Sequence, residues 1–206
     1  MLKYFSILFF SILFIISPKL NAQCEDWQQA VRYEMDVDFD VKNHRYVGIQ
    51  NVEYTNNSKD TLKELYFHLY MNAFQPGSAM DVRSRVISDP DQRVTNRIQN
   101  LAPSEQGFQR INAITQEEAV LTYEVHGTIL KVMLANAALP GKKISISMLY
   151  DAQVPLQIRR MGRMNAEDIH YSMAQWYPKV CHYDDKGWHT NPYIGREFYG
   201  HYGSFD

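Results

Sequence analysis

The chain has 206 residues, of which 45% are hydrophobic and 21% are charged, and its net charge at pH 7 is −2. This balance is typical of a globular protein and excludes a disordered one. A net charge so close to zero gives no electrostatic basis for binding nucleic acid or an anionic membrane surface. We therefore expect one or two folded domains and no nucleic-acid partner.

The N-terminus has the pattern of an export signal. Lys3 precedes an apolar run over residues 5–16, and Pro18 then breaks any helix. The run is short for a membrane span, so we predict that residues 1–22 form a secretory signal peptide cleaved after Ala22. The protein is then exported to the periplasm, the cell surface or the medium, with no membrane span after cleavage. The alternative is an uncleaved anchor.

The chain contains two cysteines, Cys24 and Cys181. In an exported protein they could form a disulfide, but a single pair in a chain of this size is not a disulfide scaffold. A disulfide and two unpaired thiols both stay open. Lipidation of Cys24 is not expected, because Gln23 precedes it where the lipoprotein peptidase requires a small residue.

Strand patterns dominate the rest of the chain. From Val31 to Val41, apolar residues alternate with charged ones, which predicts a strand with one buried face. Apolar residues resume at Val47 and Ile49, but their phase shifts by one near Asn51, which predicts a β-bulge or a crossing between sheets. Residues 65–70 are apolar or aromatic on both faces, which predicts a central strand covered on both sides.

A polar segment interrupts the strands. Residues 75–110 contain three prolines and show no strand period, so we predict a long excursion with one helix near residues 91–100. Strands resume beyond it, with turns at His126–Gly127 and Pro140–Gly141. The pattern predicts an all-β fold, a saddle-like antiparallel β sandwich with one long, partly helical insertion. No linker or repeat divides residues 23–206, which we predict to be one domain.

A series of short motifs occupies the C-terminal part of the chain. Gln175–Lys179 is followed by Tyr183–Asp184, Gly187–His189, Asn191–Tyr193 and Gly195–Gly200. In this order the motifs resemble the end of the N-terminal β domain of aminopeptidase N-like zinc metallopeptidases, in their secreted bacterial branch. The upstream segments that also fit are Tyr33–Val37, Asn56–Ser58, Leu65–Phe74, Gln153–Leu156 and Arg159–Arg163.

The resemblance implies a domain without the catalytic machinery. In that family a helix bearing His-Glu-x-x-His binds zinc, and its glutamate activates water. None of the seven histidines begins this motif, and the family's Gly-x-Met-Glu-Asn strand has only a faint counterpart at Met161–Asn165. We therefore expect no catalytic residue, no metal ligand and no cofactor in this chain. Zinc is the cofactor of the full-length members of the family. The chain is expected to be a fragment that is truncated at the C-terminal end of this domain. Its expected partner is the missing C-terminal catalytic domain, and without it the chain is expected to be inactive.

The resemblance also implies one substrate contact. In the family, a glutamine or glutamate of the β domain reaches into the catalytic cleft and helps to hold the free α-amino group of the peptide substrate. Gln175 is the best match, and it is our candidate substrate-binding residue. The alternative is a structural glutamine that bonds the backbone at the end of a strand.

One cluster of residues has the chemistry of metal ligands. It comprises Cys181, His182, Asp184, Asp185 and His189. A thiolate, two imidazoles and two carboxylates suit zinc or copper. Their spacing fits no recognised pattern, however, and strand alternation would send neighbours to opposite faces. We therefore do not predict a metal site.

The remaining candidates have structural interpretations. Six C-terminal aromatic residues could stack on a sugar, but we predict that they fill the interface with the catalytic domain. Arg159, Arg160 and Arg163 are predicted to lie in a solvated loop or to pair with that domain, and His68 to be a core histidine. The alternative function is a free-standing secreted β-sandwich module that binds glycan or protein. The aromatic residues are Trp176, Tyr177, Trp188, Tyr193, Phe198 and Tyr199.

Overall fold

The computed structural model describes residues 27–89, 91–196, 199–200 and 202–206. The predicted signal peptide and Cys24 lie outside these residues, so export and the pairing of Cys24 stay predictions. Among the described residues, no helix has the length and apolar character needed to cross a membrane.

The described part of the chain is an all-β antiparallel sandwich, as predicted. Its strands are β1 Ala30–Asp40, β2 Arg45–Thr55, β3 Leu62–His68, β4 Phe108–Gln116, β5 Ala119–Val120, β6 Tyr123–His126, β7 Ile129–Ala138, β8 Lys143–Gln153, β9 Met161–Arg163, β10 Tyr171–Met173, β11 Lys179–Val180, β12 Tyr183–Asp184, β13 Gly187–Trp188 and β14 Ser204–Phe205. One sheet has the order β14-β1-β2-β8-β4-β5 and the other β11-β3-β7-β6, and two ribbons pair β9 with β10 and β12 with β13. The pairing of β14 with β1 is parallel.

The β-bulge or sheet crossing predicted near Asn51 is wrong. β2 pairs with β1 and with β8 in unbroken register along its whole length. Gly48 and Gln50 occupy inward positions of β2, whereas Val47 and Ile49 lie on its outer face and are 47% and 49% exposed. The apolar pattern therefore changes phase while the strand itself stays regular.

The two sheets share one hydrophobic core. Leu65 and Phe67 of β3, and Leu130 and Val132 of β7, are fully buried. β3 lies between β11 and β7, which confirms a central strand. His68 at the end of β3 is 1% exposed, as expected for a core histidine. Large tyrosines fill the inner face of the six-stranded sheet, namely Tyr33, Tyr46, Tyr54 and Tyr150.

The insertion between β3 and β4 is partly helical, but its helix does not lie at residues 91–100 as predicted. Helix α1 spans Ala79–Val86. The side chain of Ser78 caps it by accepting a hydrogen bond from the Asp81 backbone N–H at 3.1 Å, and Asp81 pairs with Arg85 one turn later. These two local interactions stabilise a helix that starts earlier than the polar pattern indicated. Short 3-10 helices span Tyr70–Ala73, Ile98–Asn100 and Pro103–Glu105.

Two of the three arginines predicted to be solvated, or to pair with the catalytic domain, are buried within the described residues. Arg159 and Arg163 are 4% and 7% exposed, and Arg160 is exposed. Arg159 Nη2 lies 2.8 Å from Asp89 Oδ2, and Arg163 Nη2 donates to the Ser104 carbonyl at 2.9 Å. Because a buried guanidinium requires such partners, the insertion supplies them and is fixed to the segment that follows β8.

Candidate functional site

Gln175 lies in the turn between β10 and β11, where the chain passes from a ribbon to the four-stranded sheet. Its φ of 131° is a value that residues with a side chain rarely adopt, so the backbone is strained there. Its side-chain Oε1 is buried and has no hydrogen-bond partner among the described residues. A buried acceptor left unpaired costs about 1–3 kcal/mol. The Gln175 Oε1 atom is therefore able to accept a hydrogen bond from a donor outside the described residues.

The segment after Gln175 is fixed to the inner face of the six-stranded sheet. Two side chains from different strands, Tyr46 of β2 and Gln109 of β4, donate hydrogen bonds to the Trp176 carbonyl, the latter at 2.8 Å. The Tyr46 and Trp176 rings also meet edge to face, with centroids 6.0 Å apart. This double anchor holds the peptide unit next to Gln175 in one place.

Two further anchors follow along the same segment. Gln50 Nε2 of β2 donates to the Pro178 carbonyl at 2.9 Å, and the Tyr33 hydroxyl of β1 accepts from the Val180 backbone N–H at 3.0 Å. Sequence analysis identified none of these anchors. Gln50 is the one that the pattern could have revealed, because it is a polar residue at an inward position of an alternating strand.

Several ionisable side chains on or beside the segment after Gln175 are buried or partly buried. Burial raises the pKa of Tyr33 and Tyr46 well above the usual range and that of Tyr177 to about 12, so these phenols are neutral at neutral pH. Burial also lowers the pKa of Lys179. The Gln175 side chain thus offers a buried amide acceptor, which a cationic or neutral hydrogen-bond donor could pair with.

Most of the C-terminal aromatic residues belong to the core of this domain. Tyr193 is 2% exposed, and three others are partly buried and pack against the core. Tyr199 is 59% exposed, and Phe198 lies outside the described residues. The predicted interface is therefore wrong for Tyr193, whose ring meets Phe74 edge to face at 6.1 Å. The three partly buried residues are Trp176, Tyr177 and Trp188.

Of the five potential metal ligands, Cys181 and Asp185 lie apart from the other three. His182 precedes β12 and Asp184 ends it, so alternation puts these two on one face and Cys181 on the other. Cys181 is 2% exposed, and burial raises the pKa of its thiol well above the usual range, which makes it a poor ligand and nucleophile. Asp185 is exposed in the turn of the hairpin.

His189 completes a group of three residues with His182 and Asp184. The His189 backbone N–H donates to the His182 carbonyl at 2.8 Å across the β12–β13 hairpin. Asp184 Oδ2 lies 2.8 Å from His189 Nε2 and 3.7 Å from His182 Nε2. The sequence analysis considered the five residues as one set, whereas the hairpin brings only these three together among the described residues.

The sequence matches no protein-family model and no curated protein. The structure is distantly similar to M1 zinc metallopeptidases. A two-domain M1 zinc metallopeptidase mutant bound to L-arginine gives a TM-score of 0.46 at 13% identity, covering 73% of this chain and 29% of that one. A mutant M1 zinc metallopeptidase from Deinococcus radiodurans gives 0.44 at 13% identity, with coverages of 72% and 26%. This chain thus spans less than a third of either protein, and TM-scores this low carry no argument about function.

Proposed function

We propose that this chain is the N-terminal, non-catalytic β domain of a secreted zinc metallopeptidase of the aminopeptidase type. The domain flanks the active-site cleft, and Gln175 helps to hold the free α-amino group of the peptide. Zinc and the glutamate that activates water belong to a catalytic domain that follows on the same polypeptide. Since the chain contains no His-Glu-x-x-His, it does not hydrolyse peptides by itself.

The state of Gln175 is the observation that carries this proposal. An α-ammonium group supplies the donor that the buried Oε1 lacks, and a hydrogen bond to a charged group contributes about 1.5–3 kcal/mol. The strained backbone at φ 131° adds support, because such strain clusters at ligand-binding positions. The anchors on the following segment hold the backbone after Gln175 without help from the ligand, which lowers the entropic cost of binding.

The alternative function, a free-standing module that binds glycan or protein, has less support. A sugar platform requires aromatic faces exposed in a groove. Here Tyr193 is buried, and Trp176, Tyr177 and Trp188 pack largely against the core. The ordered series of motifs supports the peptidase domain instead.

Recognition of a free amino group is testable with the chain as it is. We expect a tripeptide with a free N-terminus to shift the NMR signals of the Gln175 side-chain amide, and the N-acetylated tripeptide to leave them unchanged. Gln175→Ala is expected to weaken binding of the free tripeptide about tenfold to 150-fold, because it removes a hydrogen bond to a charged group that contributes about 1.5–3 kcal/mol.

Gln157→Ala is the matched control for this experiment. Gln157 also has a buried Oε1 without a hydrogen-bond partner among the described residues, but it lies in a different loop. We expect Q157A to bind the free tripeptide as the unmodified chain does. Equal binding of the free and acetylated peptides, or equal weakening by Q157A and Q175A, would contradict the role given to Gln175.

A further inference from the structure

One face of the β12–β13 hairpin brings two imidazoles and a carboxylate together. Directly opposite residues of an antiparallel pair project to the same side. His182 therefore shares a face with His189, and Asp184 shares it with Gly187. Gly187 has the φ of 96° that the tight turn requires, and a Cβ there would meet no atom within 4 Å. Asp184 therefore has no side chain opposite it across the hairpin.

The three side chains are already close to the spacing that a metal ion needs. Asp184 Oδ2 lies 2.8 Å from His189 Nε2 and 3.7 Å from His182 Nε2. In tetrahedral zinc sites with bonds of about 2.0–2.1 Å, neighbouring ligand atoms lie about 3.3 Å apart. The ligand atoms of all three residues are within 4.8 Å of one another. Small side-chain rotations are enough to converge them on one ion.

Neighbouring groups orient these side chains. The Lys186 backbone N–H donates to Asp184 Oδ1 at 2.8 Å, which leaves Oδ2 to face the imidazoles. The Tyr199 ring packs against both histidines, with its centroid 4.6 Å from that of His182 and 5.2 Å from that of His189. Such contacts orient ligands in metal sites. The side chains of Asp184 and His189 are 27% and 26% exposed, so an ion can reach them from solvent.

We propose that His182, Asp184 and His189 bind one divalent transition-metal ion, for which Zn²⁺ is the probe. Two imidazole nitrogens and one carboxylate suit Zn²⁺ or Cu²⁺, whereas Ca²⁺ and Mg²⁺ prefer ligand sets of oxygen alone. Three protein ligands leave a fourth position for water or another ligand. This inference does not rest on the function proposed above, because Gln175 is no part of the site.

Titration calorimetry of the full chain, metal-free and without a histidine tag, tests this site. We expect one Zn²⁺ per chain, and affinities at least about tenfold lower in Asp184→Asn and His189→Ala. Asp185→Asn, next to the site, and His126→Ala, at an exposed histidine of β6, are the matched controls. Both are expected to bind Zn²⁺ as the unmodified chain does.

Two checks make the result decisive. Circular dichroism establishes that each variant is folded, and D184N changes few atoms, so loss of binding in that variant is not a loss of fold. The visible absorption of Co²⁺ bound to the chain should show four-coordination and disappear in D184N and H189A. Absence of Zn²⁺ binding, or binding that D184N and H189A retain or that the controls lose equally, overturns the proposal.

Discussion

Replacing Asp89 with alanine is expected to lower the free energy of unfolding by about 3–5 kcal/mol. The side chains of Asp89 and Arg159 are 1% and 5% exposed, and Asp89 Oδ2 lies 2.8 Å from Arg159 Nη2. Without the carboxylate, the buried guanidinium has lost its counter-charge. Arg83 Nη1, 3.7 Å from the same oxygen, loses it as well. Urea unfolding of the full chain, followed by tryptophan fluorescence, measures the change.

Asp91→Ala is the control for Asp89→Ala. Asp91 pairs with Arg93 in the same insertion, but these side chains are 21% and 52% exposed. Partly exposed pairs contribute about 0–1 kcal/mol, so D91A should be far milder. The double variant Asp89→Ala, Arg159→Met removes both buried charges and should therefore be more stable than D89A. If D89A and D91A were equally stable, the pair would not hold the insertion in place.

Acid is expected to destabilise the fold through His68. Burial, with a smaller contribution from Lys179, lowers the pKa of His68 from its ordinary value of 6.5 to about 4. As the pH falls, the unfolded chain therefore binds this proton before the folded chain does. The contribution of His68 is fully present above pH 6.5 and is lost as the pH falls toward 4. A shift of about 2.5 units corresponds to about 3 kcal/mol.

Comparison with variants isolates this contribution from that of the carboxyl groups. Between pH 7 and pH 4, His68→Phe and His68→Gln are expected to lose about 3 kcal/mol less unfolding free energy than the unmodified chain. His126→Ala, at an exposed position, should follow the unmodified chain. NMR titration of the His68 ring provides a direct reading. A ring that titrates near pH 6.5 in the folded chain would show that burial does not control its pKa.

The fold class was predictable because local patterns and tertiary structure agree. The alternation from Val31 to Val41 predicts β1 almost to the residue, since its inward positions face the core. The turns at Gly127 and Gly141 are real, with φ values of 60° and 68° that glycine adopts without strain. Where pattern and packing coincide in this way, sequence alone places the strand.

Prediction failed where a polar residue is buried by a distant partner. Gln50 is a polar residue at an inward position of β2, where its Nε2 donates a hydrogen bond to the Pro178 carbonyl, 128 positions away. The sequence around Arg159 is typical of a surface residue, but in the fold its guanidinium is buried and pairs with Asp89, 70 positions away. The alternation of β2 can mark Gln50 as an inward polar residue, but no local pattern identifies the distant partner of Gln50 or Arg159, because that partner becomes a neighbour only in the folded chain.

In the candidate sites, too, some features were predictable from the sequence and others arise only in the folded chain. The sequence resemblance identified Gln175, but its strained backbone and buried oxygen are properties of the fold. The group of His182, Asp184 and His189 was within reach of sequence reasoning. A two-residue turn at Asp185 and Lys186 places His182 opposite His189, and alternation adds Asp184 to their face.

The coding DNA directly after the Asp206 codon tests the proposed function most directly. We predict an open reading frame that encodes Gly-x-Met-Glu-Asn and then His-Glu-x-x-His, which would supply the zinc-binding domain beside Gln175. A verified stop codon with no such frame nearby would contradict the proposal that this chain is part of a zinc metallopeptidase. That result would make the free-standing binding module the preferred function.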